Sequence, residues 1–125
     1  MLDIRQLRAD PEGVKRALAT VGFAAAAVDA LLEADRVRRD AVHAVEQRRA
    51  ERTAASKVIR DLKDPAERER AIAAQRTAGD GMAAAEAAVA AADAEFERRL
   101  LEVPNLPHPD VPVGASEEDN VEVCR

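Results

Sequence analysis

From Leu31 onward, ten residues fall on a single line: Leu31, Ala34, Arg38, Ala41, Val45, Arg48, Arg52, Ala55, Ile59 and Leu62, at alternating steps of three and four. A heptad run of this kind lays one stripe of a helix against a partner helix. It ends at Lys63-Asp64-Pro65, because the residue before a proline is pushed out of helical geometry. Asp64 can cap a following helix, Pro65 suits its first position, and Glu67 completes a capping box of the form Asp-x-x-Glu.

A second run with the same steps follows: Ile72, Gln75, Gly79, Met82, Glu86, Val89, Asp93, Phe96, Leu100 and Val103. Four of its ten positions are glycine or polar, so it defines a helix better than it defines a register. Helices are expected over 27–62 and 66–103, the second losing its regular pattern after Leu101, with a tip at 63–65. The stretches 27–62 and 66–101 are equally long, about 54 Å each at a rise of 1.5 Å per residue. A short connection between equal helices requires them to run antiparallel. The expected fold is all-α: a long two-helix coiled-coil hairpin.

Composition agrees. Apolar residues make up 47% of the 125-residue chain, but 29 of them are alanine, and only 2 Phe and no Trp or Tyr supply bulk. A thick core is excluded, whereas alanine allows close helix approach and has the best intrinsic helix propensity. Gly79-Asp80-Gly81 interrupts the second helix, where each glycine costs about 1 kcal/mol relative to alanine. A local bend or fraying is expected there, or a crowded level of the seam that only glycine fits.

The flanks are different. Residues 1–26 form a short helical base: Leu2, Ile4 and Leu7 cluster, Asp10-Pro11 marks a helix start, Val14, Ala17, Leu18 and Val21 share a face, and Gly22 is placed to stop it. Residues 104–125 begin with four prolines between Pro104 and Pro112 and are expected to be extended. Asn120-Val121-Glu122-Val123 alternates as an edge strand does, so the chain reads as stopping on entry into another domain.

Several function classes fall away. No stretch approaches the roughly 18 apolar residues of a membrane span, and the start lacks the order of a secretory signal, so a cytoplasmic location is expected. Cys124 has no intramolecular partner, and His43 and His108 are too far apart to seed a zinc cluster. There is no glycine-rich phosphate loop and no nucleophile elbow. No catalytic residue, metal ligand or cofactor site is assigned to this chain.

The net charge of −5 hides a segregation. Residues 1–35, 36–76 and 77–125 carry −2, +5 and −8 respectively. The positive stretch covers the first long helix, the tip and the start of the second. Arranged along a rigid rod, such cations can neutralise phosphates.

Three groups of residues resemble a known family. Met1-Leu2-Asp3-Ile4-Arg5 with Asp10-Pro11 is similar to the start of the N-terminal domain of bacterial seryl-tRNA synthetase. Glu51-Arg52-Thr53-Ala54-Ala55-Ser56-Lys57-Val58-Ile59 is similar to its first arm helix, with Thr53 in place of a usual asparagine. The most specific match is Pro104-Asn105-Leu106-Pro107-His108, followed by Val111-Pro112-Val113-Gly114 and Asp119-Asn120-Val121-Glu122-Val123. The resemblance implies an arm that binds the long variable arm and elbow of tRNA(Ser) and guides the tRNA into a dimer partner. It also implies a class II catalytic domain, which uses ATP and Mg²⁺ for serylation on motifs that this chain does not contain.

Off the seam, Arg49, Lys57, Arg60, Lys63 and Arg76 are the leading candidates for tRNA contact. Arg48 and Arg52 lie on the seam line and join them by snorkelling outward. Arg38, Arg39, Arg68 and Arg70 are equally suited to surface pairs with Asp35, Asp40, Glu67 and Glu69. His43 reads as a surface residue and His108 as one that positions the linker. A competing reading, a structural or adaptor coiled coil that binds protein partners, would need an exposed apolar stripe, for which Val37 and Val42 are scattered candidates.

Overall fold

The structure, a computed structural model, describes residues 2–108, 110–114 and 116–120. Its elements in chain order are α1 (Ile4–Ala9), α2 (Pro11–Ala19), α3 (Ala25–Asp61), α4 (Pro65–Glu102) and a 3₁₀ turn at Glu117–Asp119. No strand occurs among the described residues. Residues 121–123 of the expected edge strand, and Cys124, lie outside them. Two compact units result, one formed by Met1–Glu33 with Glu97–Arg125 and the other by Ala34–Phe96.

In the first unit the caps are made as the sequence suggests. Asp3 Oδ1 accepts the Arg5 amide at 2.8 Å and starts α1. Asp10 Oδ1 accepts the Gly13 amide at 2.8 Å, with Pro11 in the first turn of α2. Gly22 closes α2 at φ 74°. The Gly22 amide donates to the Ala19 carbonyl and the Phe23 amide to the Leu18 carbonyl, the two bonds of a Schellman stop. Leu2, Leu7, Val14, Leu18, Val28, Leu31 and Val103 are buried in this unit. Lys15, at 2.9 Å from Glu12 and 2.6 Å from Asp29, ties α2 to the start of α3.

The proline-rich segment is not extended throughout. The Val111 amide donates to the His108 carbonyl, and the 3₁₀ turn is closed from Asp119 to Ser116. Ser116 and Asp119 also exchange side chain to backbone bonds with this turn: the Ser116 amide donates to Asp119 Oδ2 and the Glu118 amide to Ser116 Oγ. Short polar side chains thus stabilise a turn just after the prolines, within the 104–125 stretch expected to be extended.

The second unit contains most of α3 and α4. Its connection is Leu62–Asp64, one residue earlier than expected, because Pro65 is itself the first residue of α4. Asp64 Oδ1 accepts the Ala66 amide at 3.1 Å. Glu67 makes no return bond to the Asp64 amide among the described residues, so only half of the expected capping box forms. The expected seam of α3 survives at Ala34, Arg38, Ala41, Val45, Ala55, Ile59 and Leu62, all at least partly buried, but Arg48 and Arg52 are exposed.

On α4, Ile72, Gln75, Met82, Val89, Asp93 and Phe96 turn inward, whereas Gly79 and Glu86 are exposed. The helix runs unbroken through Gly79–Gly81, which corrects the expected fraying. A Cβ at Gly79 would meet nothing within 4 Å, so crowding does not explain this glycine either.

Candidate nucleic-acid interface

The described hydrophobic residues that are buried in the second unit are Val45 and Ala92. Polar bonds between the helices supplement this thin apolar contact. Arg38 Nε donates to Asp93, Arg49 Nη2 to Glu86 Oε1 at 2.9 Å, and Arg48 Nη1 to the Gly81 carbonyl at 2.6 Å. Nearer the tip, Gln75 Nε2 donates to Ser56 Oγ at 2.7 Å and to the Arg52 carbonyl at 3.2 Å. Partner numbers rise along α3 as they fall along α4, which is the antiparallel register. Polar positions that weaken the second seam as an apolar pattern are therefore the complements of polar positions on the first helix.

Seven cations were expected to form the interface, and all seven are exposed. Their surroundings differ. Arg48 and Arg49 reach across to α4, and Arg60 Nε lies 3.4 Å from Asp61 on its own helix. Arg52, Lys57, Lys63 and Arg76 have side chains with no hydrogen bond or ion pair among the described residues. Arg49, Lys57 and Arg60 sit at helical spacings of eight and three, which brings them to one broad face of α3.

Arg68 and Arg70 alter the expected picture. Neither pairs with Glu67 or Glu69 among the described residues, and both are exposed in the first turns of α4. They enlarge the free positive surface beside the tip. Immediate neighbours such as Arg68 with Glu67 or Glu69 cannot face each other on a helix, and Glu67 and Arg70, three apart, form no ion pair among the described residues. Among the other expected pairs, Arg39 does meet Asp35, at 3.1 Å, while Arg36 takes Asp40, at 2.8 Å.

Between the helices near the tip lies an open groove of about 740 Å³, with Arg48 and Arg52 at its edge and Val58, Ile59, Ala74 and Met82 along its walls. Small side chains facing each other leave this space. Val37 and Val58 are exposed hydrophobics on α3, but about six turns separate them, and Val42 is half-buried in a second groove with Val45 and Val89. They form no continuous stripe of the kind an adaptor coiled coil needs. His43 is on the surface, and His108 Nδ1 accepts the Asp110 amide at 3.3 Å within the linker turn.

The sequence of this helical hairpin and its base matches a known family. The model of the seryl-tRNA synthetase N-terminal domain matches residues 1–107. The chain belongs to the seryl-tRNA synthetase N-terminal domain family. Serine–tRNA ligase from Chloroflexus aurantiacus is 46% identical over 97% of this chain and 29% of its own length. The corresponding ligase from Herpetosiphon aurantiacus is 46% identical over 98% of the chain and 29% of its own length. A crystal structure of seryl-tRNA synthetase from Pyrococcus horikoshii complexed with ATP superposes with a TM-score of 0.83 at 30% identity, covering 98% of this chain and 28% of that one. The chain thus spans about three tenths of the length of the relatives it matches, and its likeness to them is that of a seryl-tRNA synthetase N-terminal domain.

Proposed function

We propose that the second unit is the tRNA-binding arm of a serine–tRNA ligase, and that its basic outer half contacts the long variable arm and the elbow of tRNA(Ser). The observation that carries this reading is the set of exposed cations on both helices around the tip, several with no carboxylate partner among the described residues. Arg48, Arg49, Arg52, Lys57, Arg60, Lys63 and Arg76 are the proposed contacts, with Arg68 and Arg70 added from their exposure. Contacts of this type go to phosphates and sugars, and they read the shape of an RNA stem rather than its base sequence.

Residues 104–125 are proposed to link the arm domain, residues 1–103, to a catalytic domain that dimerises and works in the cytoplasm. Serylation with ATP and Mg²⁺ belongs to that domain. Among the described residues no group of three or more His, Cys, Asp or Glu is placed to hold a metal ion, and no helix is long and apolar enough to cross a membrane. This chain's part is to bind and orient tRNA.

Fluorescence anisotropy tests the reading. The chain is titrated with tRNA(Ser) and with a tRNA that lacks a long variable arm. Tighter, salt-sensitive binding of tRNA(Ser) is expected, and equal affinity for both would overturn the variable-arm assignment.

A further inference from the structure

Among the described residues, Arg49 is the one proposed contact whose guanidinium is already held by a carboxylate of the opposite helix. Its Nη2 lies 2.9 Å from Glu86 Oε1, and the two side chains are 63% and 51% exposed. This geometry has two consequences. The pair is open to solvent, so an incoming phosphate can reach it. The pair is also weak, because water screens it and two long side chains are ordered to make it.

We propose that Glu86 is a built-in competitor for RNA: it occupies Arg49 as a phosphate would, and so lowers the affinity of the arm for polyanions. The proposal rests on the RNA-binding reading above and names a determinant within that surface. A phosphate that takes Arg49 must displace Glu86 or sit beside its charge. Part of the attraction of Arg49 is thereby spent on breaking an internal pair, and one fewer counterion is released when RNA binds.

Glu86 differs in this from the other acids around the basic surface. Asp61 neighbours Arg60 on the same helix at the longer distance of 3.4 Å. Glu51 is exposed between Arg48 and Arg52 in sequence and pairs with no cation among the described residues. Glu86 holds its arginine from across the hairpin. Its position at a nominal seam site of α4, where an apolar residue would serve packing better, is then accounted for.

The test is a set of salt-dependent anisotropy titrations with tRNA(Ser), using the whole chain and three variants, Glu86→Gln, Glu51→Gln and Arg49→Gln with Glu86→Gln. Circular dichroism confirms that each is helical. Glu86→Gln is expected to tighten binding by about two- to fivefold at low salt. It should also steepen the plot of log Kobs against log salt by about 0.7 to 0.9. The gain should vanish when Arg49 is also replaced, and Glu51→Gln, with the same change in net charge, should give a smaller gain. If Glu86→Gln binds no better than the unmodified chain, or if Glu51→Gln gains as much, the proposal is overturned while RNA binding stands. If the unmodified chain does not bind tRNA, the RNA-binding reading fails and the proposal fails with it.

Discussion

Arg38 bonds Asp93 across the hairpin, and its guanidinium carbon lies 5.1 Å from the centroid of the Phe96 ring on the same opposing helix. One side chain thus satisfies a carboxylate and covers an aromatic in a seam that has little apolar bulk. Both members of the ion pair are partly exposed, so the combined stabilisation is modest, about 0.5 to 2 kcal/mol. Arg38→Leu should lower the thermal midpoint followed by circular dichroism. Exchanging the charges, Arg38→Asp with Asp93→Arg, should recover the ion pair but not the ring contact. An exchange no better than the single substitution would show that the pair does not contribute.

Asp35 is a different case, because it is fully buried and its carboxylate meets Arg39 at 3.1 Å. Weakening the hold on a carboxylate that has no access to water costs more than loosening a surface pair. Arg39→Ala is expected to destabilise the fold by about 1 to 3 kcal/mol, and Arg39→Lys by less. Urea unfolding monitored at the helical band measures both. A loss for Arg39→Ala within the range of an exposed pair would contradict the burial argument.

Two glycines should respond in opposite directions to alanine. Gly22 has φ 74°, where a Cβ strains the backbone even though the space around it is open. Gly22→Ala should therefore cost about 1 to 2 kcal/mol. Gly79 sits in open space within the body of α4, so Gly79→Ala should stabilise by about 0.5 to 1 kcal/mol. The sign of each change in unfolding midpoint is the readout.

Lys15 gives the first unit a pH dependence. Its pKa is raised above the ordinary 10.5, chiefly by the bond to Asp29 and then by the bond to Glu12. A raised lysine pKa contributes stability that is complete below the unfolded value and is lost as pH rises through the folded value. Asp29→Asn should be less stable than the parent chain at neutral pH, and the gap should narrow in the alkaline range as Lys15 deprotonates. Unfolding midpoints across that range measure the gap, and a gap independent of pH would exclude this linkage.

Much of this architecture is written in local patterns. The heptad run on α3, the Asp-Pro starts and the glycine stop each have a single physical reading, and helix limits follow them to within about two residues. Polar complementarity is not local. Gln75, Glu86 and Asp93 read as defects in a seam until Ser56, Arg49 and Arg38 are brought opposite them. Alanine also misleads when it is assigned wholesale to the interface, because Ala83, Ala84, Ala87 and Ala88 face solvent and serve helix propensity instead. The positive charge of the arm was visible in the segment sums. Which arginines are neutralised across the hairpin is not, since that depends on carboxylates 37 to 55 positions away in sequence, as the bonds of Arg49 to Glu86 and of Arg38 to Asp93 illustrate.

The central claim is that unneutralised cations near the tip carry tRNA binding. The most direct measurement is the salt dependence of tRNA(Ser) affinity for the chain and for a variant with Lys57, Lys63 and Arg76 all replaced by Gln. If these three side chains engage phosphates, the slope of log Kobs against log salt should become shallower by about 2 to 3, with helical circular dichroism unchanged. Equal slopes and equal affinities for the two proteins would contradict it.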